Sequence, residues 1–142
     1  KMATLRFETN AFAFAAALRA LPPRVRVRAH EVMLGEAQDF LRTVRLRTPV
    51  LTSRLRNSIH LVAFGAADVY AYTDNRGQTF DGHLADPVKA NEIVVGTNVP
   101  YALAVESGSS QKAPLGMFAV TEIEKSVDLQ QRMGEVVKDL WT

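Results

Sequence analysis

The chain has 142 residues, 47% of them hydrophobic and 23% charged, and no cysteine. That is the size and composition of one folded domain, and it excludes a disordered tail, a disulfide framework, a thiolate metal site and a cysteine nucleophile. The net charge of +2 is unevenly spread: residues 1–56 hold eleven Lys/Arg against four Asp/Glu, a net of +7, whereas residues 57–142 hold six against eleven, a net of −5.

Asn10 is a suitable N-cap, and the spacing predicts a first helix from there to about Leu21, stopped by Pro22-Pro23. Pro23 suits the start of a second, long helix, Arg24 to Arg47. In it Val25, Ala29, Val32/Met33, Ala37, Phe40 and Val44 recur every three to four residues, while Arg24, Arg28, Glu31, Gln38, Asp39, Arg42 and Arg45 take the other side. Thr48-Pro49 ends that helix, and Thr52 or Ser53 can cap one turn through Leu55 and Arg56. Period-two alternation from Ile59 to Phe64 predicts a strand, with Val69 to Thr73 as its antiparallel partner. A long polar loop is expected from Asp74 to Asn91, then a strand from Glu92 to Gly96 and a short segment from Tyr101 to Glu106. Residues 107–114 read as a second connection. From Leu115 to about Leu140 the pattern is helical, with one seam of Val120, Ile123 and Val127 and a second of Leu129, Met133, Val136 and Leu140. The class is therefore α+β in a single domain over residues 1–142: two N-terminal helices, one of them long, a small antiparallel sheet with long loops, and a C-terminal helix packed on the sheet.

Enzyme signals are poor. There is no HExxH pair, no nucleotide-binding glycine loop and no Gly-x-Ser-x-Gly elbow. His83 lies near Asp81 and Asp86, but the spacing matches no calcium or zinc pattern, and Glu106 with its neighbouring serines has no histidine at a diagnostic distance. No catalytic residue, metal or cofactor is expected. No run of 18 apolar residues exists, and Ala11 to Leu18 has no basic stretch before it, so neither a membrane partner nor a signal peptide is expected. The nine arginines between Arg19 and Arg56 fit a DNA-binding module built on the arginine-rich helix, a solvated face, or a contact with an acidic neighbour.

Three segments taken together bear on that choice. Thr48-Pro49-Val50-Leu51-Thr52-Ser53-Arg54-Leu55-Arg56-Asn57-Ser58-Ile59 resembles the T-P-x-x-T-G-x-L-R-x-S-I segment of the tail-completion, or head-to-tail joining, proteins of long-tailed bacteriophages. Val95-Gly96-Thr97-Asn98-Val99-Pro100-Tyr101-Ala102 with Val105-Glu106-Ser107-Gly108 is similar to that family's V-G-x-x-x-x-Y-A-x-x-V-E-x-G. Ala113-Pro114-Leu115 stands where the family has P-F-L-x-P-A before its closing helix. Two departures are plain: Ser53 replaces the usual glycine, and Gly116-Met117-Phe118 is a loose match.

The resemblance implies a structural protein of the virion neck: a ring, usually a hexamer, between head connector and tail tube, with a channel for DNA. The variants within this class are tail terminator and head-closure protein. The partners implied are further copies of the chain, a head-closure or adaptor protein, a tail terminator or tail tube protein, and double-stranded DNA in passage. The place implied is the neck, after assembly in the host cytoplasm. Pro49, Thr52, Leu55, Ser58, Ile59, Gly96, Tyr101, Ala102 and Gly108 become motif residues of structural role. Thr52 and Ser53 would cap the turn, Leu55 and Ile59 would seat it, and Tyr101 would pack its ring under the sheet. Arg54 and Arg56 would reach a neighbour or a backbone carbonyl, and Glu106 an arginine. Arg24, Arg28, Arg42 and Arg45 join these three as candidates for an interface or for the DNA channel.

Overall fold

The computed structural model describes residues 4–8, 11–15, 22–50, 53–67, 69–84, 87–90, 92–108, 110–113 and 115–138. The chain order is β1 (Thr4–Glu8), β2 (Ala11–Ala15), α1 (Pro23–Arg47), α2 (Arg54–Ser58), β3 (His60–Ala63), β4 (Val69–Thr73), β5 (Thr79–His83), β6 (Glu92–Gly96), α3 (Ala102–Glu106) and α4 (Phe118–Lys138). The α+β class expected from the sequence is what the chain adopts.

α1 begins with Pro23 in its first turn, where a missing N–H costs nothing. It ends at Thr48, which is extended because Pro49 follows, and whose hydroxyl donates to the Val44 carbonyl at 2.7 Å. Val25, Ala29, Met33, Ala37, Phe40 and Val44 are buried, as the spacing requires. α4 lies along α1, and this is its main packing contact, in place of the expected seat on the sheet. Phe40 meets Phe118 at 6.3 Å between ring centroids, and Leu129, Met133 and Val136 complete the seam. Polar pairs border it: Arg47 donates to the Thr121 hydroxyl at 2.7 Å and pairs with Glu124, Lys125 reaches Asp39 at 2.8 Å, and Arg132 reaches Glu36 at 2.8 Å. The seam of Val120, Ile123 and Val127 is different, since Ile123 and Val127 face outward.

A four-stranded antiparallel sheet has the order β1-β2-β6-β3, with β6 buried along its whole length. Two corrections to the sequence reading follow. Residues 11–15 form β2, where a helix was expected from Asn10 to Leu21; the remainder of that segment, residues 10 and 16–21, lies outside the described residues. Ala-Phe-Ala-Phe-Ala alternates with period two, and strand pairing on both sides, to β1 and β6, overrides the helix propensity of its alanines. Secondly, β3 pairs with β6 and not with β4. β4 pairs with β5, so the expected loop from Asp74 to Asn91 contains a strand. Its hairpin turn is held by the Asp74 carboxylate, which accepts from the Arg76 and Gln78 amides at 2.9 and 3.0 Å.

The hairpin is fixed by aromatic stacking. His60 stacks on Tyr70 at 3.9 Å, Tyr72 on Phe80 at 5.5 Å, and the Arg54 guanidinium lies 4.1 Å from the Phe80 centroid. Gly82 stands opposite Tyr70 in the pairing, and a Cβ there would overlap the Tyr70 ring.

Phe40 is fully buried at the α1–α4 crossing. Phe40→Ala is expected to lower stability by about 3–5 kcal/mol, measured by denaturant unfolding at constant slope.

Candidate assembly interface

The segment after α1 turns sharply, and side chains take up four of its backbone carbonyls. Arg56 donates to the Thr48 carbonyl at 3.3 Å. The Ser58 hydroxyl donates to Leu55 at 2.6 Å and lies 2.5 Å from the Thr97 hydroxyl, linking the first resemblance segment to the second. Tyr70 donates its hydroxyl to the Ser58 carbonyl at 2.9 Å. Arg45 closes the set, with Nε and a terminal nitrogen at 3.2 and 2.5 Å from the Ile59 carbonyl. Leu55 and Ile59 are buried beneath this frame. Ser53 precedes α2 in the left-handed region, with φ at 64°, and its side chain makes no cap bond. The position therefore keeps the conformation that glycine adopts freely, with serine carrying the strain. Thr52 lies outside the described residues.

An open cleft of about 560 Å³ lies over α2. Pro49, Val50, Ser53, Arg54 and Leu55 form one wall, Phe80 of the hairpin a second, and Tyr101 with Val105 of α3 a third. Ser110 and Lys112, from the connection after α3, complete its edge. Tyr101 thus has its ring at the cleft, 44% exposed, and not packed under the sheet. Burial pushes its phenol above the ordinary value, with the Arg54 charge opposing. Ala102, by contrast, is buried, and Gly96 pairs with His60 across the sheet.

Glu106 takes a role the sequence reading assigned to an arginine contact. Its Oε1 accepts from the Met117 and Phe118 amides at 2.8 Å each, and its Oε2 from Ala119 at 2.9 Å. A carboxylate on these free amides caps α4 and complements its dipole. Gly116, at φ 79°, allows the approach, because a Cβ there would collide with the Glu106 carbonyl. Gly108, at φ 89°, turns the chain just after α3.

The arginines separate into groups. Arg54 belongs to the cleft. Arg42, Arg45 and Arg56 surround a shallow hollow of about 300 Å³ with Gln38, Leu41 and Leu46. Arg24 and Arg28 are exposed toward the start of α1, and Arg42 also pairs with Asp39. Residues that the motif reading missed are Phe80 and Lys112 in the cleft, and Glu36, Asp39, Arg47, Lys125 and Arg132 between the helices. Only the helical spacing of the charged pairs could have suggested the latter. Neither His60 nor His83 lines the cleft, and among the described residues no group of three His, Asp or Glu could hold a metal. Asp86 lies outside the described residues.

Two outcomes follow from this geometry. Glu106→Ala is expected to cost about 1–2 kcal/mol, whereas Ser53→Gly should gain about 0.5–1 kcal/mol, both read by thermal or denaturant unfolding. The histidines set a pH response. Burial, against the opposing Ser58 carbonyl and with a smaller push from Arg45, holds His60 below its ordinary value, and burial with Arg26 does the same for His30. Both are neutral in the fold, so their stabilisation is complete above about pH 6.5 and lost as the pH falls through the lower folded values. His60→Phe, which keeps a ring on Tyr70, should flatten the fall of Tm between about pH 7 and pH 5.

Compared with protein-family models, with curated proteins and with solved structures, the chain finds no match in any of the three.

Proposed function

We propose that the chain is a non-enzymatic assembly protein of a phage-type virion: a ring subunit, hexameric, at the neck between head connector and tail tube. The resemblance of residues 48–59 and 95–108 to tail-completion proteins is the source of this reading. The observation that carries it is that these two segments, far apart in sequence, are joined through Ser58 and Thr97 and border one open cleft. The cleft combines apolar and aromatic side chains with polar ones, among them Arg54, Asp74, Gln78 and Lys112, which suits a segment of a neighbouring protein. The neighbours would be a head-closure or adaptor protein on one side and a tail terminator or tail tube protein on the other. Double-stranded DNA would pass through the ring, and some of Arg24, Arg28 and Arg42 would face it.

The mechanism is geometric. Repeated subunit contacts hold the ring, and loops above and below match the two neighbours while the channel stays open. Among the described residues no helix is long and apolar enough to cross a membrane. The competing reading is a DNA-binding module, favoured by the exposure of Arg24, Arg28 and Arg42 along α1.

Electron microscopy of intact particles decides between them. A six-fold ring of this chain at the neck is expected; a uniform position along the tube, or absence from the particle, would refute the assignment. Purified protein should bind short duplex DNA weakly at physiological salt. Tight binding with a steep salt dependence would transfer the case to the DNA-binding module.

A further inference from the structure

Two surface features lie away from the cleft, and each is half of a contact. The first is on α4. Opposite the buried row of Phe118, Leu129 and Met133, the helix carries Val120, Ile123 and Val127 at spacings of three and four, with Ile123 75% and Val127 65% exposed. Single exposed apolar residues are ordinary, but a stripe over two helical turns is a docking feature. Asp128 and Glu135 are exposed on one side of that stripe, and Glu124, on the same side, is already paired with Arg47 of α1.

The second feature is the hollow on α1. Leu41 and Leu46 form its apolar floor, Leu46 being 72% exposed, and Arg42, Arg45 and Arg56 rim it. Arg45 and Arg56 are already oriented by the Ile59 and Thr48 carbonyls, so little side-chain freedom is lost when they meet an acidic partner.

We propose that the α4 stripe of one copy of this chain seats in the arginine-rimmed hollow of a second copy. The proposal rests on the ring reading and supplies its joint. The occupant is argued from complementarity: an apolar stripe flanked by the exposed acids Asp128 and Glu135 fits an apolar floor rimmed by three arginines. The placement of the two halves agrees. Glu36, Asp39 and Arg47 mark the side of α1 that reaches α4, whereas Gln38, Leu41 and Arg45 lie round the helix from it. The α4 stripe faces away from α1. One subunit therefore offers its two halves on different sides, which makes the contact head-to-tail and lets addition continue until a ring closes. The +7 and −5 parts of the sequence meet at this joint.

The full chain and two variants test it. Ile123→Glu with Val127→Glu spoils the stripe, and Gln38→Glu with Leu46→Glu spoils the hollow; all four positions are exposed, and circular dichroism establishes that each variant is folded. Should a double variant unfold, Val127→Glu or Gln38→Glu alone carries the same test. By analytical ultracentrifugation the unmodified chain should assemble, and each variant alone should self-associate at least about a hundredfold more weakly. Mixed together, the variants retain one intact joint between them and should give a dimer and nothing larger. If the variants assemble as the unmodified chain does, or their mixture gives no dimer, this joint is wrong and the ring reading stands without it. If the unmodified chain stays monomeric at every concentration, the joint and self-assembly into a ring both fail.

Discussion

Backbone carbonyls between Thr48 and Ile59 must find donors in a segment that leaves a long helix, makes one short turn and enters a sheet. A buried carbonyl without a donor costs free energy comparable to a lost hydrogen bond. Here arginine, serine and tyrosine side chains supply what regular structure cannot: Arg56 for Thr48, Ser58 for Leu55, Tyr70 for Ser58 and Arg45 for Ile59. The arrangement ties α1, α2, the hairpin and β6 to a single short stretch. Arginines that a charge count would assign wholly to a partner are therefore in part structural. Their remaining N–H groups are presented in a fixed direction.

The ion pairs between α1 and α4 do not simply match the basic first part of the sequence to the acidic second part. Between α1 and α4 one pair runs in the expected sense, Arg47 with Glu124, and two run against it, Asp39 with Lys125 and Glu36 with Arg132. Glu36 is the buried member of these pairs, and burial holds its carboxyl above the ordinary carboxylate range despite Arg132. These contacts fix how the helices lie, take up Glu124, and leave Arg24, Arg28 and Arg42 of α1 and Asp128 and Glu135 of α4 exposed. The surplus of each sign stays at the surface, where it can direct association and make it sensitive to salt.

Features set by local periodicity were legible in the sequence. α1 follows from a three-to-four spacing bounded by Pro23 and Pro49, and β4 and β6 from short apolar runs. Features set by distant partners were not. Residues 11–15 look helical in isolation because alanine favours helices, yet they pair on both sides as a strand. β5 carries Asp81 and Gly82 and has little strand propensity, and it exists because Phe80 stacks on Tyr72 and Gly82 makes room for Tyr70. At the candidate interface, the motif reading singled out the 48–59 segment and Tyr101, which border the cleft, but it expected the Tyr101 ring under the sheet. It could not foresee that Glu106 binds amides of α4, because nothing local marks a carboxylate as a cap for a helix that begins so much later.

That cap has a consequence for how such a protein can change. Glu106 fastens the end of α3 to the beginning of α4, so the intervening connection leaves and returns to one fixed point. The frame does not depend on how long that connection is, and the entropy of closing a loop rises only slowly with its length. Ser110 and Lys112, which border the cleft, lie within it. Insertions or replacements between the two fastened ends would reshape the mouth of the cleft while both helices keep their places. On the assembly reading proposed above, a different neighbour would be accommodated by exchanging one loop, at little cost to folding.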